Sequence, residues 1–119
     1  MKYLTKDLIL QSKDLQQKEV AVPEWGGTVL VRGMTGTERD AFEGSVVSMN
    51  GKDVSVNYEN MRTKLLVRCI VDENGDRIFD DADISVLAAK SAIALNRVYE
   101  VAQKLSGIGK EDVDELIKN

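Results

Sequence analysis

Apolar positions along the chain fall into runs whose period changes several times. Leu8, Ile9 and Leu10 follow Thr5, whose hydroxyl can accept from an early helix N–H, and Asp7 lies in the first turn; a short helix is expected there. The polar stretch Gln11 to Glu19 leads into Val20-Ala21-Val22, where extended chain is expected. Pro23 cannot donate to a ladder, and Pro23-Glu24-Trp25-Gly26-Gly27 has the composition of a turn. Thr28 to Arg32 is β-rich on its far side. Two short apolar runs around a Gly-containing loop predict a β-hairpin.

Thr35-Gly36-Thr37-Glu38 is a capping box, and the helix it opens carries Phe42, Val46 and Met49 at helical spacing, with Asn50-Gly51 expected to stop it. A second helix is expected from about Val56 to Val71, with Met61, Leu65, Leu66, Cys69 and Ile70 on its apolar face and Arg62, Lys64 and Arg68 opposite. Asp72 to Asp76 contains Asn74-Gly75, the pair of a type I′ hairpin turn, and Arg77-Ile78-Phe79 follows as a short extended piece. Asp80 or Asp81 caps a helical stretch starting near Ala82.

The longest helix is expected from about Ser91 to Leu105, with Leu95, Val98, Ala102 and Leu105 as its core stripe and Tyr99 beside it. A last helix, Lys110 to Lys118, presents Val113, Leu116 and Ile117 on one side. These pieces predict one α+β domain over residues 1–119, mainly α, with an N-terminal β-hairpin packed on a small helical bundle. Residues 1–19 form a helical arm in this scheme, and residues 107–119 a C-terminal helix that swings on Gly107 and Gly109. That helix could dock on a neighbouring copy, giving a head-to-tail homo-oligomer.

Composition narrows the function. With 43% apolar and 30% charged residues, the 119-residue chain is expected to be soluble and globular. No apolar run approaches the ~18 residues of a membrane span, and the start of the chain makes a poor signal peptide. There is no histidine, and Cys69 is the lone cysteine, which removes the commonest general base and ordinary zinc sites. We therefore expect no catalytic residues, no metal and no cofactor. Cys69 reads as a small buried hydrophobe in a reducing cytoplasm.

The net charge of −4 argues against a nucleic-acid partner, which would call for a basic stripe. That acidity is local. Six acids (Asp72, Glu73, Asp76, Asp80, Asp81, Asp83) crowd around Arg77, leaving 14 acids against 15 bases elsewhere. Read as a calcium loop from Asp72, this stretch puts Arg77 where the sharp turn needs glycine, and Asp83 where a bidentate glutamate belongs. A solvated turn followed by an acidic helix cap is the better account. The Gly-rich pieces match no phosphate-binding loop.

Trp25 is the lone tryptophan and Pro23 the lone proline. The ring either folds back over the edge of the core, or Pro23, Glu24 and Trp25 form a rigid exposed anchor for a partner.

Val22-Pro23-Glu24-Trp25-Gly26-Gly27, the extended run to Arg32, and Met34-Thr35-Gly36-Thr37-Glu38-Arg39-Asp40-Ala41-Phe42-Glu43 resemble the tail assembly chaperones of long-tailed bacteriophages. The likeness continues through Val71 to Phe79 and the Ala88-to-Leu105 helix, and so spans nearly the whole chain. It implies a non-structural protein of the infected host's cytoplasm. Its implied partners are the tape measure protein, which it would keep in solution, and tail tube subunits, which it would bring there. Many such phages also make a longer form by programmed frameshift, whose added region contacts the tube protein; this chain looks like the shorter form. The main alternative is a small structural virion protein, such as a tail or head completion factor, which would remain in purified particles.

Overall fold

The computed structural model describes residues 2–50, 53–56 and 59–108. Thr5 caps helix α1 (Lys6–Gln11), its hydroxyl accepting from the Leu8 N–H at 3.3 Å. The helix buries no residue and adds nothing to the core. The arm is shorter than expected, because residues from Gln17 onward belong to strand β1 (Gln17–Val22). β1 pairs antiparallel with β2 (Gly27–Arg32), from Gln17 opposite Arg32 to Val22 opposite Gly27, as the expected hairpin.

The alternation of the hairpin decides its orientation. Val20 and Val22 lie across from Val29 and Gly27, and this face packs inward. A third strand, β5 (Ile70–Val71), pairs with β2 on its other side, placing Ile70 opposite Val31. The expected second helix therefore ends early. Helix α3 (Met61–Cys69) stops where the β-branched Ile70-Val71 pair enters the sheet, and it starts at Met61 rather than near Val56.

Helix α2 (Gly36–Val46) begins with the capping box: Glu38 N–H donates to the Thr35 hydroxyl at 3.2 Å, and Thr35 N–H donates to Glu38 Oε1 at 2.9 Å. Glu38 also takes Arg32 Nη2 at 2.9 Å, which ties the end of β2 to the start of α2. The helix was expected to reach Met49 and instead ends at Val46. Strand β3 (Val47–Asn50) turns back onto β4 (Asp53–Val56), with Asn50 opposite Asp53. Val47-Ser48-Met49 and Val54-Ser55-Val56 alternate at the period of a strand, and Asn50-Gly51 is a hairpin signal as much as a helix stop.

After β5 the chain reverses from Asp72 to Asp76, and Arg77 bridges back to Val71. Asp72 Oδ1 accepts from the N–H groups of Asn74 and Asp76 at 2.8 and 3.1 Å, and Gly75 takes the left-handed conformation at φ 86°. The turn is not type I′, because Asn74 lacks the positive φ that type requires. The carboxylate of Asp72 organises it instead. Asp80 caps a single 3₁₀ turn, Asp81–Asp83, which runs into helix α4 (Ile84–Ala88). Helix α5 (Ala92–Leu105), close to its expected span and capped by Ser91, is the longest element described.

The core lies between the inner sheet face and the helices, and holds Val22, Val31, Phe42, Val46, Leu65, Leu66, Ile70, Leu95, Val98 and Ala102. This is the mainly helical α+β arrangement expected, with the hairpin packed on the helices. Gly33 sets the closest approach within it. A Cβ there would sit 2.5 Å from the Leu105 carbonyl oxygen, so only glycine lets the end of β2 meet the end of α5. Arg68 was expected on the polar face of its helix, yet only 4% of it is exposed. Its guanidinium donates to the Lys64 carbonyl at 2.6 Å and lies 3.7 Å from Asp81, partners that compensate the buried charge.

Candidate functional site

Pro23-Glu24-Trp25 forms one 3₁₀ turn between β1 and β2. Proline fits its first position, where no backbone donor is needed, and Gly26 closes it at φ 75°, donating its N–H to the Pro23 carbonyl at 3.0 Å. Glu24 fastens the turn to α5 through Arg97 Nη2 at 2.6 Å, a contact 73 residues away in sequence. Pro23 and Glu24 are exposed, whereas Trp25 is half-buried and packs against the core. Its indole N–H is enclosed and finds no acceptor among the described residues.

Beside the ring opens a groove of about 370 Å³, walled by Trp25, Val29, Ile70, Phe79 and Leu87, with Ile78, Glu24 and Lys90 at its edges. Ile78 is 52% exposed, a large apolar side chain left in water next to an aromatic wall. The geometry suits uptake of an apolar side chain by a pre-formed surface: the ring is held by packing, and the turn by proline and an ion pair. Ile70, Ile78, Phe79 and Leu87 were not singled out from the sequence as partner-facing. The available signal was Ile78-Phe79, an apolar pair set inside an otherwise acidic stretch.

The acids of that stretch are largely occupied. Asp72 holds its turn; Asp80 and Asp83 form a capping box, with Asp80 N–H donating to Asp83 Oδ2 at 2.9 Å. Asp81 pairs with Arg77 at 3.4 Å and with Arg68. Among the described residues no group of His, Cys, Asp or Glu is placed to hold a metal ion. Burial pushes the Cys69 thiol up to about 11, and burial likewise raises the Tyr99 phenol. Both stay protonated at neutral pH, which leaves Cys69 a packing residue.

A family model described as phage tail assembly chaperone matches residues 5–119. The chain belongs to the phage tail assembly chaperone family. Among solved structures, the tail assembly chaperone of bacteriophage HK97 shares its fold with a TM-score of 0.59 at 19% identity, covering 83% of this chain and 94% of that one. No curated protein matches the chain.

In this tail assembly chaperone, the stretch that carries the family resemblance builds the hairpin, its aromatic turn and the capped start of α2 as one connected unit. Of the residues proposed from sequence, Glu24 and Trp25 line the groove, and Pro23 opens the turn that carries them. Val113, Leu116 and Ile117, the expected contact between copies, lie outside the described residues.

Proposed function

We propose that the chain is a non-catalytic chaperone that binds the tape measure protein in the host cytoplasm, keeps it in solution, and brings tail tube subunits to it. Family membership supplies the tail assembly role. The observation that carries the finer reading is the Trp25 groove: a stiff, partly apolar recess whose lining loses little freedom when an apolar side chain enters. Among the described residues no helix is long and apolar enough to cross a membrane. Tube recruitment would fall to the same complex, through the longer frameshifted form where one is made. We further propose that Val113, Leu116 and Ile117 join copies head to tail, so truncation after Ile108, which is buried in the core, should leave a folded monomer.

Co-expression with the tape measure protein of the same phage tests this directly. The tape measure protein should move from the pellet to the soluble fraction and co-purify with the chain. A tape measure protein that stays insoluble, or is soluble without the chain bound, would end the proposal.

A further inference from the structure

The Trp25 groove does not stop at Ile78. Val29, Ile70 and Ile78 also line a second recess of about 660 Å³, which runs over the outer face of the hairpin, past Leu30 and Val71, to the Asp72–Asn74 turn. Glu19, Asp72 and Glu73 line this recess, and among the described residues no lysine or arginine does. Asp72 is engaged in its turn, but Glu19 and Glu73 are exposed and form no ion pair among the described residues. The two recesses thus make one open channel, apolar along its floor and anionic along one end.

The backbone decides what conformation fits. The floor strand β2 is paired with β1 along its whole length, and on its other side β5 pairs only Leu30 and Val31, so the edge left open there is the short piece Gly27–Val29, too short to seat a strand running the length of the channel. An occupant filling the channel must therefore satisfy most of its own peptide groups, as a helix does. Charge decides its composition. Two unpaired carboxylates beside an apolar floor favour lysine or arginine flanking an apolar stripe, and disfavour aspartate or glutamate there.

We infer that this channel selects amphipathic helices with basic flanks, and that such helices are the segments of the tape measure protein the chaperone holds. The inference rests on the proposed binding of that protein and adds which of its segments are chosen. Leucine points into the Trp25 groove and past Ile78, while lysine or arginine reaches Glu19 and Glu73.

Two synthetic helical peptides of ~18 residues, about five turns, provide the probe: one with leucine on one face and lysine on the other, and one with glutamate replacing the lysine. Titrated against the full chain, the leucine–lysine peptide should bind at least about tenfold tighter, and the preference should shrink as salt rises to about 0.5 M. Glu19→Lys with Glu73→Lys should abolish the preference, and Ile78→Ser should weaken both peptides. All three positions are exposed, so circular dichroism should show unchanged folding. Equal binding of the two peptides by the unmodified chain overturns the inference without recourse to any variant. So does a preference that survives the double charge reversal. A third contrary outcome involves the arm, which is itself apolar and carries Lys2, Lys6 and Lys13. If Leu8→Ser/Ile9→Ser/Leu10→Ser tightens peptide binding tenfold and dissolves self-association, a second copy's arm fills the channel and the inference falls. Co-expression separates the two claims. A chaperone that never solubilises the tape measure protein defeats the binding proposal; one whose charge-reversed variant solubilises it fully defeats this inference alone.

Discussion

Replacing Trp25 separately by alanine and by phenylalanine divides its two contributions. The ring packs beside Val29, Phe79 and Leu87 and is half-buried. A tryptophan side chain covers ~150–250 Å², so shielding about half of it at ~25 cal/mol per Å² contributes about 2–3 kcal/mol. Against this stands the enclosed indole N–H without an acceptor, a desolvation cost of about 1–3 kcal/mol. Trp25→Ala loses the first and is relieved of the second; with the desolvation cost at its lower end of about 1 kcal/mol, since the residue is only half-buried, the net loss is about 1–2 kcal/mol. Trp25→Phe keeps most of the packing and removes the donor, so it should match or exceed the parent stability. For a domain of this size, 1 kcal/mol corresponds to roughly 3–6 °C in Tm. Thermal denaturation by circular dichroism should therefore show the alanine variant lower by about 3–12 °C and the phenylalanine variant level with the parent or above it. Equal destabilisation of both would show that the N–H is satisfied in solution. An unshifted alanine variant would show that the ring does not cover the core.

Gly33→Ala forces a Cβ against the Leu105 carbonyl and should lower stability by about 1–3 kcal/mol or more; an unchanged melt would show that the end of α5 yields freely. Cys69 should resist a thiol reagent at pH 8 until the protein is unfolded. Because its folded pKa of about 11 lies above the ordinary 9.0, the unfolded thiol ionises first, so its contribution to stability is full below pH 9 and falls away through pH 11. A stability profile flat over that window, once other groups are controlled with Cys69→Ala, would contradict this. Millimolar calcium should leave Tm unchanged, since Asp72, Asp80, Asp81 and Asp83 are already committed to turns, caps and arginines; a rise lost in Asp76→Ala would overturn it.

Local chemistry made much of the fold legible. The hairpin, the Thr35 capping box, the Asp80 cap and the Ser91-to-Leu105 helix all rest on side chains acting within a few residues of themselves. The misreadings share one cause: short apolar runs that fit either period. Val47-Ser48-Met49 continues the spacing of Phe42 and Val46, so only pairing with Val54 to Val56 reveals a strand. Ile70-Val71 extends the apolar face of α3, and only Leu30 and Val31 across the sheet claim it for β5. Arg68 looked solvated because its burial depends on Asp81, thirteen positions on. The site was half legible. Turn composition pointed to Pro23-Glu24-Trp25, but the opposite wall comes from β5, α4 and the loop between them, and no local pattern announces that closure.

The central claim is that this family member grips the tape measure protein at the Trp25 groove. Hydrogen–deuterium exchange of the chain, alone and in the purified complex, tests it most directly. Peptides covering residues 22–30 and 70–79 should gain protection on binding, while the outward side of α2 should not. A stable, soluble complex that leaves both segments exchanging as in the free chain would contradict the account.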